Sequence, residues 1–466
     1  LIRPISETRD EGGTFMASTA IDSLIFRDIF STPAMRRVFS DESRIQRYLD
    51  VEAALARAQA RLGIIPHEAA DEIVKQALVE NFDLAKLKAR TETIGYPVLP
   101  VVEQLVARSA NHLGEWAHWG ATTQDITDTA AVLQAREALA LIDDDLKAIS
   151  ESLAALAARH RDTPMVGRSN LQQAVPITFG FKMAVVLAAL DRHRQRLREL
   201  RPRVLVAEFG GAAGTLASLG KRGLEVQAAL CQELGLAQPE IAWHTVRDGF
   251  AEVACFLGLV TGTLGKIATD VKLLMQTEVA EVFEPFVPGR GSSSTMPQKR
   301  NPIACNYILA CTSVVRQNVA ALLEAMVEDH ERSTGPWEIE WIAFPEIFLL
   351  AAGALSQARK MLSGLQVDEK RMRANLDLTG GLITSEAVMM GLASHIGRQH
   401  AHDLVYDLCQ KSAQTGRPLL EFLAENPEIS RHLDRAALAK LVDPANYLGL
   451  SGEMVDRLLG RREDRE

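Results

Sequence analysis

Aromatic residues make up only 5% of this 466-residue chain, and its five cysteines contain no CxxC pair. With few large rings and many alanines and leucines, the composition suits close helix–helix packing. Cys231, Cys255, Cys305, Cys311 and Cys409 sit mostly in apolar, helix-like stretches, as buried free thiols of a reducing compartment do. No Cys/His cluster has zinc-ligand spacing. The longest charge-free apolar stretch, Val253 to Gly265, is shorter than the roughly 20 residues a bilayer span requires. No secretory leader is visible. Residues 1–15 are polar and end before Met16, which reads as a disordered or expression-derived tail, and the expected location is cytoplasmic, away from membranes. The net charge of −9 argues against nucleic acid as a partner. Strand-like alternation is scarce, and no internal repeat or low-complexity tract stands out.

What is present is helix. Hydrophobic residues reach 47% and charged residues 24%, enough for a large core. Leu139, Ile142, Leu146, Ile149, Leu153 and Leu156 recur at a 3-4-3-4-3 spacing and predict one long helix with a single apolar stripe. Asp143, Asp144, Asp145 and Lys147 lie off that stripe and should face water. Further helices are predicted over 177–200, 224–234, 250–284, 303–326 and 348–365. Several are apolar around most of their circumference and need cover from other subunits. The boundaries are read as 16–120 for an N-terminal helical domain, 121–370 for a central long-helix bundle and 371–466 for a C-terminal helical domain.

Several clusters carry chemistry. Residues 291–302 read Gly-Ser-Ser-Ser-Thr-Met-Pro-Gln-Lys-Arg-Asn-Pro. A glycine beside three hydroxyls makes a bendable loop whose side chains can reach a ligand. Lys299 follows, and Asn301-Pro302 read as the N-cap and first residue of a helix with free N–H groups for an anion. A Ser-rich surface loop is the plainer alternative. His118, Thr122, Thr123 and Gln124 combine an imidazole, two hydroxyls and an amide around Gly120, a set that suits a carboxylate ligand or, equally, an ordinary helix start capped by Thr123 or Asp125. Arg332 offers a fork for a carboxylate or an ion pair at the surface. His244 and Arg247 line a pocket or cap a helix. Gly210 to Thr215 permits tight backbone packing and makes a poor phosphate loop, because no Lys-Ser/Thr follows.

The 291–302 stretch resembles the signature of the fumarase/aspartase superfamily, G-S-S-x-M-P-x-K-x-N-P. Ser293, Ser294, Met296, Pro297, Lys299, Asn301 and Pro302 fall on it, and Ser292 stands at the motif's glycine. Residues 167–176 look like the family's G-R-T-H-x-Q-x-A-x-P, with Ser169 at the threonine and Asn170 at the histidine. The resemblance covers about Asp22 to Leu450. It implies an all-α fold, a long helical bundle with smaller end domains, and a homotetramer whose sites draw on three subunits. It assigns catalysis to Ser293, Lys299 and Asn301. Substrate binding falls to His118, Thr122, Thr123, Gln124, Arg168, Ser169, Asn170, Gln172, His244 and Arg332. An asparagine amide cannot exchange protons near neutral pH, so a relay through the motif histidine is not expected here.

Within the superfamily the wording is closest to the bacterial 3-carboxy-cis,cis-muconate cycloisomerases, in phrases such as Trp243-His244-Thr245 and His330-Glu331-Arg332-Ser333. The implied reaction closes a muconate to its lactone through an enediolate-like intermediate, with Ser293 moving the proton and no metal or organic cofactor. The alternative is a fumarate-forming lyase acting on a substituted succinate, such as adenylosuccinate, an aminocarboxylate or nitrosuccinate. Either way the partner is a small polycarboxylate.

Overall fold

The computed structural model describes residues 18–463, and the tail expected at 1–15 lies outside them. Asp41–Arg61 (α1) is the main helix of the N-terminal part. The bundle is built from Thr123–Arg159 (α2), Phe179–Val204 (α3), Asp248–Leu274 (α4), Ile303–Glu324 (α5) and Pro336–Ser363 (α6). The architecture is the all-α one the sequence predicts. The stripe that predicts α2 is its core face: Leu139, Ile142, Leu146, Ile149 and Leu153 are fully buried. At 37 residues the helix is about 55 Å long.

One continuous core joins Met35 and Leu49 to α2–α6, and a second, separate core holds Val388, Leu408, Leu423 and Leu438 in the C-terminal helices. The last helix returns to the bundle, where Val455 joins the first core. Helices α4 and α6 are long and apolar enough to cross a membrane, but most of each is buried in the bundle. Other apolar side chains stay on the bundle's flank, among them Val185, Leu259, Val314, Leu323 and Ile342.

Three expectations need correction. Asp143 and Asp145 do not simply face water: they are partly buried beside Arg201 and Arg359, because long arginine stems from α3 and α6 lie across that face. Ile177 and Thr178 do not begin the helix predicted over 177–200, which starts at Phe179. Pro164–Ser169 (β1) and Gln172–Thr178 (β2) form an antiparallel hairpin with Ser169 opposite Gln172. Its two-residue turn, Asn170 and Leu171, has φ of 50° and 63°, and asparagine tolerates such values better than most residues. The predicted 250–284 helix stops at Leu274, after which Val282–Phe283 (β3) pairs with Gln366–Val367 (β4).

Candidate active site

The bundle has two chemically loaded ends. At the first, the Thr122-to-Asp125 turn opens α2. The Asp125 carboxylate accepts from the Thr122 N–H at 2.8 Å. It also accepts from the Gly210 and Gly211 N–H groups at 2.8 and 3.0 Å, and it lies 2.8 Å from Nε2 of His244. One buried carboxylate thus ties the start of α2 to the Gly-rich turn. The turn closes round the imidazole: a Cβ on Gly210 would sit 2.9 Å from His244 Cε1, so only glycine fits there. Two residues on, Ala212 offers its carbonyl to Arg332 at 2.9 Å. His118 lies beside this turn with Nδ1 2.6 Å from the buried Glu52. Burial works against its imidazolium, but Glu52 outweighs that and raises its pKa above the ordinary value.

His244 and Gln124 do not present themselves to solvent. Both are buried, and the Gln124 amide donates to the His244 carbonyl at 2.7 Å. The His244 pKa is also raised: desolvation opposes the charged ring, while Asp125 and Glu208 favour it more strongly. Asp125, Glu208 and His244 have ligand atoms within 4.8 Å of one another, a metal-like cluster. Each Asp125 oxygen already carries two nitrogen partners, an arrangement that suits a protonated ring better than a cation. Deeper still, the fully buried Arg247 donates to Asp128 at 2.6 and 3.1 Å and to Glu340 at 2.9 Å, with Glu328 3.8 Å away. Burial pushes Glu328 and Glu340 up to about 7.

At the second end lies the 291–302 loop. Ser293 Oγ accepts from the Met296 N–H at 3.1 Å and the Thr295 N–H at 3.3 Å. Lys299 is exposed on the same loop. Asn301 is not an N-cap: α5 begins at Ile303, and both the Asn301 backbone N–H and its side-chain amide donate to the Gly291 carbonyl at 3.0 Å. The N–H groups of Ala304 and Cys305 are not free for a ligand either, because Glu284 accepts from them at 3.1 and 2.9 Å. A carboxylate 20 residues upstream satisfies the helix start, so the Asn301 side chain is spent on closing the loop.

Gly291 has φ 72°, and a Cβ there would meet the Asn301 carbonyl at 2.7 Å. Gly291→Ala should therefore open the loop base and lower kcat roughly 10- to 100-fold, with the melting temperature little changed; steady-state kinetics beside a thermal melt checks this.

Arg168 is likewise committed. Its fork grips the buried Glu281 at 2.7 and 2.9 Å, and Asn375 adds a bond to the same carboxylate at 2.8 Å. The hairpin tip, Ser169, Asn170 and Gln172, is exposed.

The structure brings His118, Thr122, Thr123, Gln124, His244 and Arg332 to one end. It leaves Ser293, Lys299 and Asn301 at the other, with the 22 residues of α5, about 33 Å, between Asn301 and Glu324. Sequence reasoning did not single out Glu52, Glu208 or Glu281 as partners of site residues. Their partners are 66, 36 and 113 positions away, and no local pattern reports such pairings.

The family model described as Lyase matches residues 29–316, and that described as Adenylosuccinate lyase C-terminus matches 381–458. The trans-aconitate decarboxylase 1 of Mycosarcoma maydis is 58% identical over 93% of this chain and 88% of its own. The 3-carboxy-cis,cis-muconate cycloisomerase of Pseudomonas aeruginosa is 49% identical over 93% of this chain and 95% of its own. The crystal structure of the 3-carboxy-cis,cis-muconate lactonizing enzyme of Pseudomonas putida superimposes with a TM-score of 0.90 at 45% identity, covering 95% of this chain and 99% of that one.

Proposed function

This chain belongs to the lyase family of the fumarase/aspartase superfamily, and from that premise we propose that it protonates an enediolate formed from an unsaturated polycarboxylate, in the closure of 3-carboxy-cis,cis-muconate to 4-carboxymuconolactone. One substrate carboxylate adds to the conjugated double bond, a C–O bond forms, and the π electrons move onto a second carboxylate. Ser293 delivers a proton to the carbon beside that carboxylate and recovers one from solvent, so the trianion becomes a dianion with uptake of one proton.

The observation that carries this reading is the pair of loop N–H groups on Ser293 Oγ, which would steady the alkoxide left behind. Lys299 adds positive charge from the same loop. Asn301 closes the loop, and Thr122, Thr123 and Arg332 hold the substrate carboxylates. Asn170 cannot take over the proton transfer. Since α5 keeps the two groups apart within one chain, the working site is shared between subunits of a homotetramer. The apolar residues on the bundle's flank support such an assembly.

A second reading is favoured by the 58% identity to the decarboxylase. Loss of CO2 from the saturated arm of trans-aconitate yields the same kind of delocalised carbanion, and protonation beside a remaining carboxylate gives itaconate. Both reactions ask the same acid of the enzyme. The test is parallel incubation with both substrates. Loss of diene absorbance with lactone formation sustains the first reading. CO2 and itaconate from trans-aconitate alone replace it with the second. Turnover of neither, with fumarate released from N- or S-succinyl compounds, overturns both.

A further inference from the structure

His244 stands between two buried carboxylates, and only one of them has an obvious task. Asp125 clamps backbone. Glu208 is fully buried, and its Oε2 accepts from the Trp243 N–H at 2.5 Å. Its Oε1 has no hydrogen-bond partner among the described residues and lies 3.6 Å from His244 Nε2, the nitrogen Asp125 Oδ1 already holds at 2.8 Å. One ring nitrogen therefore faces two acceptors. The Glu208 backbone is fixed to α2, where the Thr129 hydroxyl donates to its carbonyl at 2.8 Å and accepts from its N–H at 2.9 Å. The carboxylate cannot swing away to find water.

We propose that Glu208 is a positioning residue that shares His244 with Asp125 and, through that buried pair, sets how tightly the Thr122–Thr123 turn holds an anionic substrate. The inference rests on the reading that this turn binds a substrate carboxylate. When Glu208 is neutral, Asp125 has the ring to itself and keeps the turn and the Gly-rich segment in register. When Glu208 ionises, the ring is drawn between two anions and negative charge accumulates directly behind the turn. Burial is the main cause that pushes the Glu208 carboxyl up to about 7, against the pull of His244, so the change falls near neutral pH. The groups facing Glu208 are Asp125 and Asp128 of α2, His244, and Cys231 of the helix Gly223–Leu234. With folded-state Glu208 neutral below about 7 and charged above it, anion affinity should be highest on the acid side.

The experiment measures equilibrium binding of mesaconate, fully ionised throughout, to the full-length Ser293→Ala protein from pH 6 to 8.5. Affinity should fall roughly three- to tenfold across that range, and adding Glu208→Gln should remove most of the slope while keeping acid-side affinity. Should the Gln variant not fold, Glu208→Asp, with its carboxylate drawn back from His244, should shift the midpoint. Binding with a flat profile, with an unreduced slope in the Gln variant, or with an unmoved midpoint in the Asp variant overturns the positioning role of Glu208 and leaves the proposed function standing. No binding at any pH overturns the positioning role of Glu208 together with the carboxylate-binding reading of the turn.

Discussion

Ser293→Ala lowers kcat by at least about 10³ and leaves the oligomer intact. The side chain is exposed enough to be dispensable for folding, and among the described residues its Oγ makes only loop contacts, to Thr295 and Met296. On the proposed mechanism, what is lost is the proton donor and the place where its negative charge is held. The sharper form of this prediction uses two inactive proteins. Thr123→Val disables the opposite end of the bundle. If each centre takes Ser293 from one subunit and Thr123 from another, unfolding and refolding a one-to-one mixture of the two variants regenerates about a quarter of wild-type activity. Half the centres have an intact serine, and half of those an intact threonine. Activity assays on refolded mixtures measure this directly. A mixture as inactive as its components places both residues in one subunit's site and removes the shared-site reading.

Arg247→Met produces the largest loss of stability. Arg247 is the buried cation beside Asp128, Glu340 and Glu328, and it also lies over the Trp243 and Phe250 rings. Its own pKa is raised: desolvation disfavours its charge, and the surrounding carboxylates more than compensate. Methionine fills the volume but strands the acids, at a cost on the order of 3–5 kcal/mol. The pH dependence has a definite sign. Glu328 and Glu340 are pushed up to about 7, above the unfolded carboxyl value of about 4.3. Between those values the folded chain binds protons that the unfolded chain releases, so their contribution to stability falls as pH rises through that window and levels off above it. Removing Arg247 raises both pKa values further. The deficit of the variant should therefore be smallest near pH 5 and grow towards pH 8, as followed by urea unfolding at matched protein concentration. A deficit independent of pH would show that packing over the aromatic rings, not charge, is what the arginine supplies.

The helices were legible in the sequence because each buries a face written into its own periodicity; Leu139 to Leu153 needed no partner's identity to be read. The hairpin was missed for the converse reason. Met165, Val166 and Gly167 are all buried, so β1 shows no alternation, and the turn at Asn170-Leu171 lacks the glycine that usually marks one. The residues proposed for substrate and catalysis were legible as motifs, but what each does with its hydrogen-bonding capacity was not. Arg168 and Asn301 have the chemistry of ligands, and Glu281 and Gly291 absorb it. Glu284 fills the helix start that the local sequence assigned to Asn301, because a cap can come from any carboxylate the fold delivers.

If Ser293 and Arg332 serve one shared site, their placement at opposite ends of α5 makes helix length a functional quantity. Adding one full turn would preserve every buried face while displacing one end from the other by about 5.4 Å, more than a hydrogen bond can absorb. In such a shared site the bundle serves as a ruler. Hairpin tips and connecting loops could then change to suit new substrates, while the rod between them would be held at one length by chemistry it never touches.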